Sequence, residues 1–560
     1  MRKTWLVRED APPPALAQET GLSELTIRLL WRRGYRSPES IRRFMNPSVR
    51  DIEDPGVFTD MPRAVSRIRE AVRRNEKMLI YGDYDVDGIT GSAILFRTLR
   101  EMGAAADVCI PHRVRDGYGL KRSALEGALK KDTRLVVTVD NGITGAAEVD
   151  FLVSKKIDVI IVDHHEPQGG LPNALAILSP QRKKTSEPCG LAACGLAFKL
   201  AWALREDWES VKSLMDLVAL GTIADMAPLR GENRALVRWG LAEIGATSKK
   251  GLRALRDRVK PGGRAVTSED VGYGLAPRLN AAGRIGSAED AFRLLVTEDE
   301  LEAENLARIL DESNAQRRKI EREAFVEAVE QAEREHHFGR DRVIVVASDR
   351  WHEGIAGILA TRLVERFHRP SFVISVREGV GKGSGRSIPS FVLFSNLERC
   401  AGLFDNFGGH SHACGLVIQE KRIPEFRQAI NRIAHEALRP EQLALQLEID
   451  GVAPLSAFDE KILKELERFE PFGMGNPPPL FLSRGLRVKT ESRSVGRSGS
   501  AFWVEDPSDL AAAEATSFRQ KYSFAPGSVL DLVHRPVRSE WRGVPVLELR
   551  TEDVNVLRTE

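Results

Sequence analysis

The residues best suited to chemistry are acids that follow short apolar segments. Met78-Leu-Ile-Tyr81 runs directly into Asp83, Asp85 and Asp87, three carboxylates at alternate positions. Like charges this close repel one another, so a cation or hydrogen-bond donors must compensate them, and oxygen ligands of this kind suit Mg²⁺ or Mn²⁺. A polar turn with capping aspartates explains the same residues, because Gly88 could begin a helix. Taken alone, this cluster leaves both interpretations open.

Two later apolar segments end in the same way. The first precedes Asp140, which an Asn-Gly turn follows, and this arrangement is common turn chemistry by itself. The second, Val159-Ile-Ile-Val162, precedes Asp163, His164 and His165. Solitary histidines are usually structural, but a His-His step beside acids offers a metal ligand and an adjacent polar group.

The shared placement of these groups is more informative than any one of them. Ligands of open α/β sheets collect beyond the carboxyl ends of parallel strands, so acids at three strand ends would meet at one edge. Independent helix capping does not predict that coincidence. Asp225 ends an almost wholly apolar stretch, where an unpaired charge would be costly to bury. A bound metal would satisfy that carboxylate.

The elements that must position these side chains can be read from the hydrophobic pattern. From about 56 to 240, short apolar runs alternate with amphipathic stretches, which predicts a doubly wound parallel sheet. Residues 298–337 contain no Pro or Gly and predict one long helix or two abutting ones. At ~1.5 Å per residue, about 38 helical residues would span ~57 Å, which suits a connector between two lobes. A second α/β lobe follows, and after about 440 short alternating segments predict a small β-barrel.

Composition excludes several classes of protein. The chain has 560 residues, more than one hydrophobic core usually organises. No window approaches the roughly 18 uncharged apolar residues of a membrane span, and the N-terminus lacks an apolar segment of signal-peptide length, so we expect no membrane association and a cytoplasmic location. Five scattered cysteines without a C-x-x-C pair fit neither a disulfide framework nor a zinc knuckle. The formal charge of +2 means that any basic groove must come from local segregation of charge.

Four segments together resemble the motifs of the DHH phosphoesterase superfamily in residue type, order and spacing. They are Asp83-Tyr-Asp85-Val-Asp87-Gly88, Val139-Asp140-Asn-Gly142, Asp163-His164-His165 and Gly221-Thr-Ile-Ala-Asp225-Met226. Later segments are similar to those of the RecJ branch of that superfamily. They are Ala276-Pro-Arg278-Leu-Asn280-Ala-Ala-Gly283-Arg284, Trp351-His-Glu-Gly354-Ile-Ala-Gly357, Gly408-Gly-His410-Ser-His-Ala-Cys-Gly415 and Pro471-Phe-Gly-Met-Gly-Asn-Pro477. The resemblance covers nearly the whole chain.

The resemblance implies an α/β fold class. We expect a DHH parallel-sheet domain and a DHHA1 α/β domain, joined by a long helix, with a C-terminal OB-fold β-barrel. The expected divisions are an N-terminal arm at 1–55, the DHH catalytic domain at 56–297, the connecting helix at 298–338, the DHHA1 domain at 339–440 and an OB-fold DNA-binding domain at 441–560.

The resemblance also implies a site for two divalent cations, Mn²⁺ or Mg²⁺. The expected ligands are Asp85, Asp87, Asp140, His164 and Asp225, with Asp140 bridging the two ions. Asp83 is expected as a further carboxylate of the metal site, and His165 is expected to contact the scissile phosphate or to assist the departing oxygen. Two cations ~3.5–4 Å apart can activate a shared water and stabilise charge on both reacting oxygens, so no nucleophilic Ser or Cys is needed.

Strand recognition needs donors outside the metal centre. The segment Gly381-Lys-Gly-Ser384-Gly-Arg386 offers backbone N–H groups, a hydroxyl and a guanidinium, although a β-turn with a surface arginine is the simpler interpretation. The resemblance implies that Arg113 joins Ser384 and Arg386 in a pocket for a 5′ phosphate. It also implies that four residues line the DNA path: Arg278, Asn280, Arg284 and His410. In the barrel, three aromatic residues are either stacking platforms for a single strand or core residues: Phe502, Trp503 and Trp541.

The implied function is a single-stranded-DNA-specific 5′→3′ exonuclease that acts in DNA recombination and repair. Its expected partners are single-stranded DNA, a helicase and a single-strand-binding protein, and a monomer is the favoured state. One alternative is a phosphoesterase for small substrates such as pyrophosphate, cyclic dinucleotides or short oligonucleotides, against which the appended barrel argues. A non-catalytic scaffold is the other, and the presence of every expected acid argues against it.

Overall fold

The structure is a computed structural model that describes residues 3–7, 11–113, 115–117, 119–167, 169–183, 190–262, 265–496, 498–541 and 544–558. The chain forms two compact units. The first comprises Met1–Ile52, Pro228–Arg238 and Leu445–Glu560, and the second comprises Glu53–Ala227 and Trp239–Ala444. Within the described ranges, no helix combines the length and the apolarity needed to cross a bilayer.

The N-terminal segment contains one strand and three helices: β1 (Thr4–Val7), α1 (Ala15–Thr20), α2 (Glu24–Arg32) and α3 (Pro38–Met45). The starts of the last two helices are encoded locally by serine caps. Ser23 accepts a hydrogen bond from the backbone N–H of Thr26, and Ser37 forms a reciprocal capping box with Ser40.

A five-stranded parallel sheet forms the start of the second unit. Its elements are α4 (Met61–Arg73), β2 (Lys77–Gly82), α5 (Val86–Glu101), β3 (Ala106–Cys109), α6 (Arg122–Ala128), β4 (Thr133–Val139), α7 (Ala146–Ser154), β5 (Asp158–Val162) and β6 (Ala176–Leu178). The strand order is β3-β2-β4-β5-β6, and every pairing is parallel. Nearly all residues of β2, β4 and β5 are buried, as expected for a sheet covered on both faces. The predicted parallel sheet is confirmed.

A helical region follows the sheet. It contains α8 (Ala193–Arg205), α9 (Trp208–Val211), α10 (Met215–Ala224), α11 (Gly231–Ala246), α12 (Lys250–Val259), α13 (Ser268–Asp270), one π-helical turn (Val271–Leu275), α14 (Ala276–Ile285) and α15 (Ala288–Val296). The apolar stretch before Asp225 is α10, a helix of which eight residues are buried. Asp225 itself is the C-terminal cap of this helix.

A single long helix leads to the second sheet of this unit. Helix α16 runs over 36 residues from Glu300 to Glu335, so the sequence prediction of one or two helices resolves to one. The elements that follow are β7 (Ile344–Ser348), α17 (Ala356–Phe367), β8 (Ser371–Arg377), β9 (Val380–Arg386), α18 (Leu393–Glu398), β10 (Asn406–Gly409), β11 (Ala413–Gln419) and α19 (Ile423–Ala437). The strand order is β10-β11-β9-β8-β7, in which only β7 and β8 pair in parallel.

The C-terminal segment of the first unit closes into a barrel. Its elements are β12 (Gln446–Ile449), β13 (Gly451–Val452), α20 (Glu460–Glu467), β14 (Phe481–Val488), β15 (Arg493–Val495), β16 (Gly499–Glu505), β17 (Ala512–Ser517), β18 (Val529–Trp541) and β19 (Val544–Arg558). The order β14-β18-β19-β17-β16 returns to β14, and β17 pairs with β19 in parallel. This is OB-fold topology, as predicted. Phe502 is a core residue of the barrel, whereas the side chain of Trp541 lies outside the described residues.

The N-terminal helices share one hydrophobic core with the C-terminal segment. Ile27, Leu30 and Phe44 pack in the same cluster as Phe469 and Phe481. Strand β1 also pairs in parallel with β12. Residues 1–52 therefore belong to a larger folded unit, and the finer division into five segments stays a prediction.

Arg234 lies at the centre of this first unit, and only 2% of its surface is exposed. Its guanidinium donates to the carbonyls of Phe44 and Phe469, both at 2.9 Å, and to those of Arg468 at 2.8 Å and Glu470 at 2.9 Å. Burial lowers the pKa of Arg234 to about 9. The four carbonyl acceptors compensate this desolvation and tie Pro228–Arg238 to segments on both sides of it in sequence.

We expect Arg234→Ala to destabilise the first unit by roughly 3 kcal/mol or more, because each buried carbonyl left without a donor costs about 1–3 kcal/mol. Thermal unfolding followed by circular dichroism measures the effect. Arg238→Ala is the matched control, since the exposed Arg238 donates only one bond, at 3.1 Å, to the carbonyl of Glu470. Equal losses for the two variants would contradict a central role for Arg234.

Candidate metal centre

Three aspartates continue the ladders of adjacent parallel strands. Asp83, Asp140 and Asp163 follow the last residues of β2, β4 and β5. The N–H of Asp83 donates to the Val139 carbonyl at 3.1 Å, and the N–H of Asp140 donates to the Val162 carbonyl at 2.9 Å. The sheet therefore fixes the backbone of these aspartates in register, and the predicted meeting of strand ends is confirmed.

Asp140 has a strained backbone that its neighbours hold in place. Its φ is +64°, in the left-handed region that non-glycine residues rarely adopt. The Asn141 side-chain amide donates to the Val139 carbonyl at 2.9 Å, and Thr138 Oγ1 donates to the Asn141 carbonyl at 2.8 Å. Gly142 is required next because a Cβ there would lie 2.6 Å from Thr138 Oγ1. The turn thus fixes the orientation of the Asp140 carboxylate, and the left-handed backbone conformation of this residue costs stability.

Two more carboxylates stand at the start of α5. Asp85 caps this helix, accepting the N–H groups of Asp87 at 3.0 Å and Gly88 at 3.1 Å. Asp87 accepts the N–H of Ala193 at 2.7 Å on one oxygen and that of Cys194 at 2.8 Å on the other. These donors belong to the first turn of α8, whose own cap residue supplies no side chain. The positive end of a second helix therefore fixes Asp87.

His164 connects the carboxylates that come from different elements. Its Nε2 lies 3.3 Å from an oxygen of Asp140, and 3.8 Å from oxygens of Asp87 and Asp225. Asp225 reaches this position from the C-terminal cap of α10. Three groups of ligand atoms are spaced to hold a metal ion: Asp83 with Asp85 and Asp140, Asp87 with His164 and Asp225, and Asp140 with His164 and His165. The first two share no residue, so they could hold one ion each.

His165 is held by the acid two positions before it. Its Nδ1 lies 2.8 Å from Asp163 Oδ1, and the other oxygen of Asp163 accepts the N–H of Ile143 at 2.9 Å. Burial alone would lower the pKa of His165, but the hydrogen bond to Asp163 raises it to about 9. The imidazole is therefore charged at neutral pH and fixed beside Asp140, whose oxygen is 3.8 Å away.

The electrostatics of the cluster call for cations. Burial, and then neighbouring carboxylates, raise the pKa of Asp83 and Asp140, and raise that of Asp225 to about 8. Among the described residues, Asp83 Oδ1, Asp140 Oδ1 and His164 Nε2 are buried without a hydrogen-bond partner. Native proteins rarely leave such atoms unsatisfied. Oxygen and imidazole donors in this arrangement suit Mn²⁺ or Mg²⁺, so the residues present fit the expected ions.

A second cluster of the opposite sign lies close to the carboxylates. Burial lowers the pKa of Arg284 to about 9, and the charges of Arg113, Arg317 and Arg386 act in the same direction. The guanidinium of Arg113 lies 4.9 Å from the ring centre of Tyr84, between Asp83 and Asp85, which places Arg113 near the metal centre. Guanidiniums that repel one another in a buried place form a site that an anion would relieve.

Ser384 and Arg386 belong to this basic cluster from the second sheet. Arg386 Nη1 donates to Ser384 Oγ at 3.0 Å and to the carbonyl of Gly385 at 2.8 Å. A Cβ on Gly357, in the first turn of α17, would lie 3.0 Å from Arg386 Nη2 and 3.3 Å from Ser384 Oγ. Glycine there leaves room for both side chains at a helix N-terminus, where backbone N–H groups favour anions.

One part of the sequence interpretation is wrong. The glycine-rich segment Gly381–Arg386 is not a loop with available N–H groups, because it lies in β9, paired with β8 on one side and β11 on the other. Its glycines instead leave space for the side chains of the neighbouring strands. A Cβ on Gly385 would lie 2.6 Å from both Phe372 and Cys414. Only the side chains of Ser384 and Arg386 remain as candidates for anion contact.

The other predicted DNA contacts are less concentrated. Arg278 is engaged within the protein, donating to Asp311 of α16 at 2.7 Å and to the Gly274 carbonyl at 2.9 Å. Asn280 is half-buried in α14, and His410 is exposed between β10 and β11. Their contact with DNA stays a prediction.

The structure adds positioning groups that the sequence interpretation missed. The N–H groups that hold Asp87 come from Ala193 and Cys194, and a backbone donor leaves no mark in residue type. Asp163 was noted only as a flanking acid, yet its spacing from His165 was the available signal.

The parallel sheet, the crowded carboxylates and histidines at its edge, and the separate OB barrel define a metal-dependent phosphoesterase of the DHH type. Three domain families match the chain: DHH family, N-terminal domain, at residues 77–222; DHHA1 domain at 340–436; and RecJ OB domain at 449–553. The chain belongs to the RecJ family.

Relatives of known function are similar over most of their length. The single-stranded-DNA-specific exonuclease RecJ of Bacillus subtilis is 36% identical over 97% of this chain and 69% of its own, and that of Dickeya dadantii is 37% identical over 95% and 96%. The structure of Thermus thermophilus RecJ in complex with Mn²⁺ matches with a TM-score of 0.84 at 31% identity, over 99% of this chain and 80% of its own. A second structure of that protein holds Mg²⁺ and matches with a TM-score of 0.79.

We expect Asp140→Asn to abolish metal-dependent activity and yet raise the Tm in chelator by roughly 1–2 °C, which corresponds to about 1 kcal/mol for a unit of this size. The amide replaces a carboxyl group whose charged form is disfavoured by burial and by the neighbouring carboxylates. Thermal unfolding with EDTA and with Mn²⁺ measures both effects. Asp216→Asn is the matched control, because Asp216 is equally buried but paired with Lys249 at 2.9 Å. That variant should lower the Tm, and a fall in Tm for Asp140→Asn would contradict the argument.

We expect the stability of the chelator-treated protein to fall as pH rises from 7 to 8.5. The folded pKa of Asp225 is raised to about 8, far above its unfolded value near ~3.9. The folded state then holds a proton that the unfolded state lacks, so this contribution to stability is lost as pH rises through the folded pKa. Scans of Tm against pH in EDTA measure this loss of stability. Asp225→Asn is the control, and its Tm should depend less steeply on pH. Identical slopes would contradict the assignment.

Proposed function

We propose that this chain is a metal-dependent exonuclease that hydrolyses phosphodiester bonds of single-stranded DNA from the 5′ end. The observation that carries the proposal is the closeness of two oppositely charged clusters in the second unit. One consists of carboxylates and histidines suited to cations, and the other of guanidiniums suited to a phosphate. The names of the relatives as single-stranded-DNA-specific exonucleases support the choice of substrate.

We assign two divalent cations, Mn²⁺ or Mg²⁺, to the acidic cluster. The proposed ligands are Asp83, Asp85, Asp87, Asp140, His164 and Asp225. Asp140 is suited to bridging, because it belongs to the first triad and its Oδ1 lies 3.3 Å from His164 of the second. When bound, two such ions lower the pKa of a water and stabilise charge on the attacking and departing oxygens.

The side chains around the cluster have separate tasks in this proposal. His165, charged and oriented by Asp163, would contact the scissile phosphate or hold a proton near the departing oxygen. The first turn of α8 keeps Asp87 in its orientation, so this ligand does not need to reorganise. Preorganised groups of this kind lower the barrier without a cost at the moment of reaction.

The basic cluster gives the enzyme its polarity in this proposal. Arg113, Ser384 and Arg386 would bind the terminal 5′ phosphate, while Arg284 extends the same positive field. A terminal phosphate monoester carries more charge than an internal diester, so such a pocket favours a chain end. With the end held there, the first diester lies at the metal centre, and cleavage proceeds from 5′ to 3′.

The wider biological setting follows from the substrate. An enzyme restricted to single strands needs duplex DNA to be opened first, which makes a helicase and a single-strand-binding protein the expected partners. We place the activity in DNA recombination and repair, in the cytoplasm, with the protein acting as a monomer. Copurification and analytical ultracentrifugation test these partners and this state.

We expect single-stranded oligonucleotides to be digested from the 5′ end in Mn²⁺, with no digestion in EDTA or by Asp140→Asn. Oligonucleotides labelled at either end distinguish the two polarities, and a duplex of the same sequence tests strand specificity. Release of label from the 3′ end first would contradict the proposed polarity. Hydrolysis of dinucleotides without digestion of longer strands would instead support the small-substrate phosphoesterase.

We expect Arg386→Gln to reduce the preference for a 5′ phosphate over a 5′ hydroxyl by roughly tenfold or more, since a charge-assisted hydrogen bond contributes about 1.5–3 kcal/mol. Competition between the two oligonucleotides measures the ratio. Arg427→Gln is the matched control, because Arg427 lies on α19, is also half-buried, and is paired with Glu335 at 2.7 Å. An unchanged ratio in Arg386→Gln would remove Arg386 from the pocket.

A further inference from the structure

Met226 occupies a backbone conformation that disfavours its side chain. It directly follows the proposed metal ligand Asp225, and its φ is +60°. The N–H of Met226 donates to the Ile223 carbonyl at 3.2 Å, and the N–H of Ala227 donates to the Thr222 carbonyl at 3.1 Å. These two bonds form a Schellman motif, in which the left-handed position normally holds glycine.

Packing does not explain the methionine, because 62% of its surface is exposed. A side chain in the left-handed region costs about 1–2 kcal/mol relative to the right-handed one. Glycine would avoid that cost and would lose little buried area. A strained residue kept beside a functional site indicates a role for its side chain there.

A second exposed apolar residue flanks the same end of α10. Tyr273 is 79% exposed and lies in the single π-helical turn, Val271–Leu275. This turn packs against α10, since a Cβ on Gly272 would lie 3.8 Å from Ile223. Irregular π-helical turns are often found at functional sites.

The π-helical turn leads directly into α14, and Arg284 of the basic cluster lies at the opposite end of that helix. A Cβ on Gly283 would lie 2.9 Å from the carbonyl of Tyr84, in the first acidic motif. Single exposed apolar side chains are ordinary on protein surfaces. These two differ because both lie at the end of α10 that carries the proposed metal ligand Asp225.

We propose that Met226 and Tyr273 form a platform on which a nucleobase of the single strand stacks next to the metal centre. This inference rests on the proposed function and adds the group that recognises the base instead of the phosphate. An aromatic ring and a polarisable thioether accept the face of any base, so the platform holds the strand without selecting a sequence. Duplex bases, which are already stacked, would not occupy it.

The test combines a protein change with a change in the DNA. Met226→Gly should keep or raise the Tm, because glycine relieves the backbone strain, while KM for an oligonucleotide rises by about tenfold, within the range of one stacking contact. Oligonucleotides that lack one base at successive positions from the 5′ end should be cut less well by the unaltered protein at the position that stacks. In Met226→Gly, removing that base should not reduce cleavage any further.

Two controls separate stacking from structure. Lys156→Gly changes an exposed residue with φ +59° in a second Schellman motif, after α7, and should raise the Tm similarly with KM unchanged. Tyr273→Phe should keep the unaltered KM, whereas Tyr273→Ala should raise it.

The possible outcomes distinguish the two proposals. Suppose that the unaltered protein digests single strands. If Met226→Gly and removal of a base then reduce cleavage independently at every position, the platform is wrong and the exonuclease proposal stands. If kcat falls with KM unchanged, Met226 acts on Asp225 and not on the base, which also overturns the platform. If the unaltered protein digests no single strand, both proposals fall.

Discussion

The confinement of like charges at two neighbouring places is the constraint on which the second unit depends. Burial raises the pKa values of Asp83, Asp140 and Asp225, which come from three separate segments, and it lowers the pKa values of Arg284, Arg317 and Arg386 in the second cluster. Neither cluster is stable in isolation, because each concentrates one sign of charge in a poorly solvated space. In the proposed function, divalent cations would relieve the first cluster and the terminal phosphate of the strand would relieve the second.

The fold prevents the movements by which these like charges would otherwise separate. Ladder hydrogen bonds of three adjacent strands fix the backbones of Asp83, Asp140 and Asp163, so the acids cannot move away from one another. Backbone donors from α5 and α8 hold Asp85 and Asp87 in the same way. The stability that the cluster costs is supplied by the buried sheet and the helices around it. Most of the proposed metal ligands therefore stand directly at the ends of strands and helices, where hydrogen bonds to the regular elements hold them.

The scissile diester and the terminal phosphate of the substrate would be bound by different kinds of structure. The acidic cluster is built at the carboxyl edge of a parallel sheet, where several strands converge by topology. Ser384 and Arg386 instead extend from an internal strand of a mixed sheet, whose glycines admit the large side chains of its neighbours. Long helix α16 separates these two sheets in sequence. In the proposed function, catalysis and end recognition would thus belong to separate elements of one compact unit.

The sequence by itself determined the parallel sheet, the long helix, the barrel and the acidic segments that meet at the edge of the sheet. These features follow from local patterns: apolar strands ending in carboxylates, a stretch without Pro or Gly, and alternating short segments. Tertiary structure alone decided that Gly381–Arg386 is a paired strand. The sequence of a glycine-rich segment is typical of a turn, and only the structure shows that large residues such as Phe372 on the paired strand need the space that these glycines leave. It also decided that backbone N–H groups of α8 hold Asp87, and that Arg278 is occupied by Asp311. Backbone donors and long-range partners depend on which segments meet in space, and residue type alone does not record that meeting.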